Sequence, residues 1–253
     1  MAALLKIEGL RKHFGSVRAV DGVDLEVKEG KLTAVIGPNG AGKTTLFHLV
    51  TGAIEPDAGR VHLDGQDITG WPPAAIVRAG LARTFQITSV FPDLTALENV
   101  LLPCLARRRE TARLWGSYTR HPARAEALEL LSRVGLADQA ERPVGQMSHA
   151  DQKLVEVAMA LATQPRLLLL DEPAAGLAPG ETERVIGALR EMVTAGGVTV
   201  VLIEHDMDIV FSMADRVVVL HQGRVLADSA PGDIRRNPAV KEVYLGGTFA
   251  GRA

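Results

Sequence analysis

The chain has 253 residues, of which 47% are hydrophobic and 23% are charged, and its formal net charge is −2 at pH 7. This length and composition are typical of a soluble globular protein with one large domain, or with one domain that carries an inserted lobe. The near-neutral charge argues against broad nucleic-acid binding, and the apolar runs are far too short to cross a bilayer.

Two further features predict a cytoplasmic protein. The N-terminus lacks a basic segment followed by a long apolar one, so a cleaved secretion signal is not expected. The single cysteine, Cys104, cannot form an internal disulfide, which agrees with a reducing compartment. Its apolar neighbours predict that it packs in the interior and is not a reactive thiol.

The first thirty residues alternate between apolar and polar side chains, with polar turns between the runs. This alternation predicts a half-exposed antiparallel β layer. Phe14 lies just after the first predicted strand, where an aromatic ring could stack on a nucleotide base. Taken alone it would be a packing residue, but its position upstream of a glycine-rich loop favours base stacking.

The apolar run Leu32 to Ile36 is followed by the glycine-rich loop Gly37-Pro38-Asn39-Gly40-Ala41-Gly42-Lys43-Thr44-Thr45. A strand, this loop and a helix, predicted from Lys43 to Val50, form the context in which G-x-x-x-x-G-K-[ST] binds phosphate. The glycines allow a tight turn that aims backbone N–H groups at an anion above the positive end of the helix. Lys43 is expected to reach the terminal phosphates and Thr44 to ligate magnesium. The loop therefore predicts a nucleoside triphosphate site.

Residues 60 to 94 are predicted to form two strands, a short helix and a loop. Arg60 to Leu63 predicts a strand that leads into an Asp-Gly turn, and the sequence Trp71-Pro72-Pro73 begins a short helix. Leu81 to Phe85 predicts a second strand, and Gln86 leaves it near the phosphate loop. Gln86 could ligate magnesium or a water, although a glutamine alone carries little information. A loop is expected from 87 to 94.

Helical periodicity begins at Thr95 and continues to about Val134, which predicts a helical lobe. The middle of this stretch, from 107 to 122, is polar, arginine-rich and broken, so we expect an irregular connection there. The basic cluster comprises Arg107, Arg108, Arg109, Arg113, Arg120 and Arg124. We interpret it mainly as a solvated helical face, with a nucleic-acid contact as the alternative.

The segment from Met147 to Gln152 leads into an apolar helix that is predicted from Leu154 to Ala162. Ser148 is expected to be the N-cap, and Asp151, three residues later, completes a capping-box arrangement. A capped helix N-terminus with a serine hydroxyl is also a phosphate-binding surface, so both interpretations stay open at this point.

Four leucines, Leu167 to Leu170, precede Asp171 and Glu172 and predict a buried strand that ends in two carboxylates. Because successive side chains of a strand point in opposite directions, the two acids are expected to have different tasks. One can hold the water shell of magnesium, and the other can orient or deprotonate an attacking water. The alternative is a strand end with solvated acids.

A tight connection from 173 to 179 leads to a helix predicted over Glu181 to Val193, and Val198 to Ile203 predicts another buried strand. His205 follows this strand and is expected at the same sheet edge as Gln86 and Asp171, where open parallel sheets bind their ligands. The remaining elements are predicted to be a helix, two strands and two short tail helices, at 207–213, 216–220, 224–227 and 231–245.

Together these motifs resemble the ATPase subunit of ABC transporters, and the resemblance covers nearly the whole chain. Matching positions are Gly37 to Thr45 (Walker A), Gln86 (glutamine loop), Leu167 to Asp171 (Walker B), Glu172 (catalytic glutamate), His205 (switch histidine) and Phe14 (base stacking). Met147 to Asp151 stands where that family has its signature, usually Leu-Ser-Gly-Gly-Gln. The resemblance implies ATP and Mg²⁺ as cofactors, with Thr44, Gln86 and Asp171 at the magnesium. Val20, Ser148, Ala150 and Asp151 join the other nucleotide-binding residues.

The resemblance also implies an architecture and an assembly. The fold class is α/β, with a mainly parallel P-loop NTPase core and an N-terminal antiparallel β layer at 1–86 and 164–230. An inserted α-helical subdomain is expected at 87–163 and a short helical tail at 231–253. In this family the signature of one subunit completes the ATP site of a second subunit, which implies a dimer on the inner membrane face, beside permease subunits and, indirectly, an extracytoplasmic solute-binding protein. No nucleic-acid partner is expected.

Four segments of the sequence resemble the LivG-type ATPase of branched-chain amino acid importers in particular. Related importers of urea and short amides share these features. The segments are Arg83-Thr84-Phe85-Gln86, Ala175-Gly176-Leu177, Glu204-His205-Asp206-Met207 and the ending from Asn237 to Gly246. The expected function is therefore ATP hydrolysis that drives solute import. Two residues depart from the family pattern at the expected dimer contacts. Ala150 stands where the family usually has a signature glycine, and Ala178 stands where many members have an aspartate. The alternatives are a soluble ABC-type ATPase that acts on nucleic acid or ribosomes, and a P-loop kinase.

Overall fold

The structure, a computed structural model, describes residues 3–84, 90–109, 121–194 and 197–245. Its strands are β1 (Ala3–Phe14), β2 (Val17–Lys28), β3 (Leu32–Ile36), β4 (Ala58–Leu63), β5 (Gln66–Asp67), β6 (Leu81–Arg83), β7 (Leu167–Asp171), β8 (Thr199–Ile203), β9 (Arg216–His221) and β10 (Arg224–Ser229). Its helices are α1 (Lys43–Val50), α2 (Pro73–Arg78), α3 (Ala96–Arg108), α4 (Pro122–Arg133), α5 (His149–Ala162), α6 (Pro179–Thr194), α7 (Met207–Met213), α8 (Pro231–Arg236) and α9 (Pro238–Leu245). Within these ranges no helix combines the length and the apolar character that a membrane span needs.

An antiparallel sheet with the order β2-β1-β4-β5 forms one layer of the fold. Along β4, Val61 and Leu63 are buried while their neighbours are more exposed, as the alternating sequence requires. The two-residue turn between β4 and β5 contains Asp64 and Gly65, whose φ angles of 50° and 76° suit a tight hairpin. In the first thirty residues, β1 pairs antiparallel with β2, and buried and exposed residues alternate from Val23 to Lys28, which confirms the predicted half-exposed antiparallel layer.

A second sheet, with the order β10-β9-β3-β8-β7-β6, forms the centre of the molecule. Its strands pair in parallel except at the edge, where β10 runs antiparallel to β9. Every residue of β3, β7 and β8 is buried, which explains their continuous apolar sequences. The order places β8 between β3 and β7, so the carboxyl ends of these three strands meet at one edge. The predicted mainly parallel α/β core is confirmed.

The helices α3, α4 and α5 pack together, and each contributes a fully buried side chain to one core cluster: Cys104, Leu131 and Val155. Helix α3 begins with a capping box in which Thr95 accepts the Glu98 N–H and the Glu98 carboxylate accepts the Thr95 N–H. Helix α5 begins at His149, directly after the predicted N-cap Ser148. The bounds predicted for the inserted subdomain stay a prediction.

The predicted irregular connection from 107 to 122 is wrong at both ends, because α3 continues through Arg108 and α4 begins at Pro122. Residues 110–120 lie outside the described part of the chain. Arg107 and Arg108 both pair with Glu126 of α4, and the Nε of Arg107 donates to the Ala162 carbonyl oxygen at 3.0 Å. The charges that suggested a loop instead join neighbouring helices.

Candidate functional site

The glycine-rich loop connects the end of β3 to the start of α1, and two of its glycines, Gly37 and Gly42, occupy narrow gaps. A Cβ at Gly42 would lie 2.1 Å from the Ala19 carbonyl oxygen, and a Cβ at Gly37 would lie 2.2 Å from that of Leu220. Gly42 also has a φ of 100°, in the left-handed region that favours glycine. Packing therefore requires glycine at both positions, independently of any contact with phosphate.

The loop presents backbone N–H groups at the start of a helix. Gly42 is the N-cap of α1 and has no side chain that could accept a hydrogen bond from the first helical N–H groups, which leaves them suited to an anion. Asn39, Gly40 and Thr44 are exposed, Pro38, Gly42 and Thr45 are half-buried, and Gly37, Ala41 and Lys43 are buried. The exposed Thr44 places its hydroxyl in the first turn of α1.

Lys43 is buried within the loop and connects it electrostatically to the end of β7. Its Nζ donates to the carbonyl oxygens of Gly37, at 2.7 Å, and Pro38, at 3.1 Å. Burial lowers the pKa of the Lys43 amine, and the negative charges of Glu172 and Asp171 act in the opposite direction. The lysine and both predicted carboxylates therefore belong to one electrostatic site.

Asp171 is the last residue of β7 and is 2% exposed. Its Oδ2 accepts a hydrogen bond from Arg83 Nη2 at 2.8 Å. Its Oδ1 is buried, and within the described residues no group donates to it. An available carboxylate oxygen at a strand end fits the water shell of Mg²⁺.

Among the described residues, the site contains no complete protein cage for a metal. In the part of the chain that the structure describes, no group of three or more His, Cys, Asp or Glu residues could hold a metal ion. This suits Mg²⁺, which usually binds through one or two carboxylates, several waters and the phosphates of its substrate. The donor set around Asp171 and Thr44 is of that kind.

Glu172 has different partners from Asp171, as the alternation of strand side chains predicts. Its Oε1 lies 2.7 Å from Nε2 of His205. Its backbone has a φ of 52°, a strained value for a residue with a side chain, and its N–H donates to the Ile203 carbonyl oxygen at 2.9 Å. Lys153 of α5 also donates to the Glu172 carbonyl oxygen, at 3.4 Å. The end of β8 thus holds Glu172 against His205.

Glu204 was not selected by the sequence interpretation, although it immediately precedes His205. It is 4% exposed, and its two carboxylate oxygens accept the N–H groups of Ala174 and His205, each at 3.0 Å. Burial raises the pKa of the Glu204 carboxyl above its ordinary value of 4.5, although these backbone N–H groups oppose the shift. Its sequence signals were an acid at the end of an apolar strand and a place in the matching segment Glu204-His205-Asp206-Met207.

Phe14, predicted to stack on the base, and Val20, predicted to be a nucleotide-binding residue, differ in accessibility. Phe14 ends β1 and is 51% exposed, with Nζ of Lys12 at 5.8 Å from the centre of its ring. Val20 is 1% exposed, so only Phe14 presents an open surface. A cleft of about 690 Å³ extends between residues 16–18, where β2 begins, and Gly40 of the phosphate loop.

The start of α5 has the predicted N-cap, since the Ser148 hydroxyl accepts the Asp151 N–H at 3.2 Å. The same hydroxyl donates to Oδ2 of Asp151 at 2.9 Å, and Oδ1 of Asp151 pairs with Arg184 of α6 at 2.5 Å. Ala150 is completely buried in the core cluster of α3, α4 and α5. Its methyl group therefore packs inward and does not obstruct the surface around Ser148.

The structure brings the phosphate loop, Asp171, Glu172 and His205 to neighbouring strand ends. Gln86, the remaining predicted residue of this edge, lies outside the described residues. The described strand that precedes it in the chain, β6, pairs in parallel with β7, and Thr84 beyond β6 donates its N–H to the Leu169 carbonyl oxygen at 3.0 Å.

Comparisons with known proteins agree with this geometry. The family model described as ABC transporter matches residues 20–175. The chain is 42% identical over 250 residues to the high-affinity branched-chain amino acid transport ATP-binding protein BraF of Pseudomonas aeruginosa, across 96% of this chain and 98% of that protein. It is 39% identical over 251 residues to the corresponding LivG protein of Escherichia coli, with the same coverage of 96% and 98%.

Solved structures give the same result. The ADP conformation of an ATP-binding cassette of an ABC transporter is 32% identical, with a TM-score of 0.87 over 98% of this chain and 100% of that chain. A dimeric cassette in a post-hydrolysis state, bound to ADP and Pi, is 27% identical, with a TM-score of 0.75 over 90% of this chain and 98% of that chain. The chain therefore belongs to the ABC transporter family, as one of its ATP-binding and ATP-hydrolysing subunits.

Proposed function

We propose that this subunit energises the import of a branched-chain amino acid or a related small solute. The proposal is supported by BraF and LivG, which are branched-chain amino acid transport proteins and align with nearly the whole chain. In this arrangement the solute contacts membrane subunits and an external binding protein, while the present chain supplies the free energy of ATP hydrolysis from the inner face of the membrane.

The observation that carries the catalytic proposal is the 2.7 Å contact between Glu172 and His205. Glu172 acts as the general base: its carboxylate accepts a proton from the water that attacks the γ-phosphorus, and ADP leaves as the phosphorus–oxygen bond breaks. His205 orients the carboxylate and stabilises the γ-phosphate. Positioning and charge neutralisation supply most of the rate enhancement in this chemistry.

The phosphate loop binds and neutralises the nucleotide in this proposal. Two of the three N–H donors of Lys43 reach loop carbonyl oxygens, and its ammonium has a further donor for a terminal phosphate oxygen. Thr44 and Asp171, together with Gln86, would hold Mg²⁺. When bound, the ion neutralises charge on the β- and γ-phosphates. Phe14 stacks on the base.

We further propose that two such subunits form a dimer in which the start of α5 faces the second subunit's phosphate loop. The dimeric post-hydrolysis cassette described above supports this assembly. The buried methyl group of Ala150 leaves that surface clear, so this departure from the family signature is compatible with the contact. At the other departure, Ala178 is exposed and its N–H donates to Glu181 at 3.2 Å.

A contact with a permease is proposed for the loop that contains Phe91. This side chain is 52% exposed, while the loop beneath it is fixed by Asn99, which is completely buried. Asn99 accepts the Phe91 N–H at 2.8 Å and donates to the carbonyl oxygens of Phe91, at 3.0 Å, and Thr95, at 2.9 Å. A large apolar side chain on a rigid support is suited to a protein contact.

The test compares the wild-type chain with Glu172→Gln, and with Glu191→Gln on the exposed face of α6 as a control. We expect Glu172→Gln to keep its affinity for ATP while kcat falls by about 10²–10⁴-fold, the range for loss of a general base. Co-purification should recover membrane permeases, and vesicles reconstituted with them should take up leucine when ATP is supplied. Unchanged hydrolysis in Glu172→Gln contradicts the catalytic assignment. Recovery of RNA or ribosomes in place of membrane proteins contradicts the importer.

A further inference from the structure

Glu204 lies between the two segments that carry the proposed catalytic groups. One of its oxygens accepts the N–H of Ala174, in the segment that follows Glu172, and the other accepts the N–H of His205. Both bonds are 3.0 Å long, and the carboxylate is almost completely withdrawn from solvent. The side chain therefore joins the segment after β7 to the segment after β8.

The chemistry of a carboxylate explains why this residue type suits the position. Burying a charge is unfavourable, and burial accordingly raises the pKa of this carboxyl. An ionised carboxylate nevertheless has two acceptor oxygens, whereas an amide of the same shape has one oxygen and one donor. A glutamine here would satisfy one backbone N–H and direct an N–H₂ group at the other. A carboxylate is the side chain of this size that can bind both segments.

The contacts around Glu204 form a closed ring. The side chains of Glu172 and His205 are in contact, and the His205 N–H donates to the Glu204 carboxylate. The same carboxylate accepts the N–H of Ala174, which lies two residues after Glu172. A second link, from the Glu172 N–H to the Ile203 carbonyl oxygen, spans the same two strand ends. The distance between the base and the histidine is thus determined by hydrogen bonds on both sides.

We propose that Glu204 is a positioning residue for ATP hydrolysis, which fixes the Ala174 and His205 backbones together and so sets the geometry of the Glu172–His205 pair. This inference rests on the proposed function of that pair. Glu204 touches neither the nucleotide nor the attacking water in this role. It acts on kcat, because a displacement of the reacting groups by about 1 Å can reduce the rate by up to about 10²-fold.

The test is Glu204→Gln, with Glu191→Gln as the control. Glu191 lies on the exposed face of α6, outside the proposed nucleotide site and the dimer contacts. For Glu204→Gln we expect kcat to fall by about tenfold or more, while the Kd for ATP stays within about twofold of wild type. The thermal midpoint should change little, because the amide removes a buried charge but loses one acceptor. Glu191→Gln should keep the wild-type kcat.

Each alternative result has a definite meaning. If Glu204→Gln keeps the wild-type kcat while Glu172→Gln loses activity, the positioning role is overturned and the proposed function is left intact. A variant that fails to fold, or that loses ATP affinity in proportion to kcat, would show a structural role and also overturn it. Absence of ATP hydrolysis in the wild-type chain would instead overturn the proposed function.

Discussion

Replacing Gly42 by alanine tests whether the phosphate loop needs glycine because of its packing or only because of its backbone conformation. A Cβ at this position would lie 2.1 Å from a backbone oxygen, that of Ala19, which cannot rotate away. Gly40 provides the matched control, since its φ of 77° is also left-handed but a Cβ there would have no atom within 4 Å. Gly40→Ala therefore experiences the conformational strain alone.

The expected magnitudes follow from these two environments. A left-handed backbone costs a residue with a Cβ about 1–2 kcal/mol, and this cost applies to both variants. Forcing an extra methyl into a close-packed region adds about 1–3 kcal/mol, and this cost applies only to Gly42→Ala. At about 2–4 °C per kcal/mol for a chain of this size, Gly42→Ala should melt several degrees below Gly40→Ala.

The measurement is urea and thermal unfolding of both variants without nucleotide, so that phosphate contacts do not contribute. We expect the free energy of unfolding to be lower in Gly42→Ala than in Gly40→Ala by at least about 1 kcal/mol. Equal losses would refute the argument, because they would mean that the segment around Ala19 yields freely to the added methyl group.

Two further predictions concern buried groups. Burial raises the pKa of the Cys104 thiol to about 11, so a maleimide at pH 8 should label the unfolded chain rapidly and the native chain scarcely at all. Fast labelling of the native chain would contradict the packing of α3. Arg83→Met should lower the free energy of unfolding by about 3–5 kcal/mol in urea titrations, because it leaves the Asp171 carboxylate buried without its ion-pair partner. A loss below about 1 kcal/mol would show that water reaches Asp171.

The elements that could be predicted from the sequence are those whose chemistry is local. The phosphate loop combines its glycines, lysine and threonines within nine residues, and buried strands of the parallel sheet are continuous apolar runs. The cap of α5 at Ser148 is likewise determined by residues within one turn. In each case the residues that make the structure are also neighbours in the chain.

The features that could not be predicted depend on distant partners. Glu204 meets Ala174 across thirty residues, and Asp151 meets Arg184 across thirty-three. Arg107 and Arg108 at the end of α3 pair with Glu126 in the next helix, a partner that the local charge pattern does not reveal. The inward direction of the Ala150 methyl group could be seen only once α5 was packed against its neighbours.

The central position of β8 gives its length an importance that its side chains do not reveal. Asp171, at the end of β7, pairs with Ile203, at the end of β8. This pairing sets the positions of the next two residues, Glu204 and His205, relative to Asp171. A slip of one residue along a strand exchanges the two faces of the sheet. Here it would exchange Glu204 and His205, placing a second carboxylate against Glu172. The length of β8 therefore determines which side chain lies against Glu172. Exchanging one apolar residue of the strand for another should disturb the site less than inserting or deleting a residue.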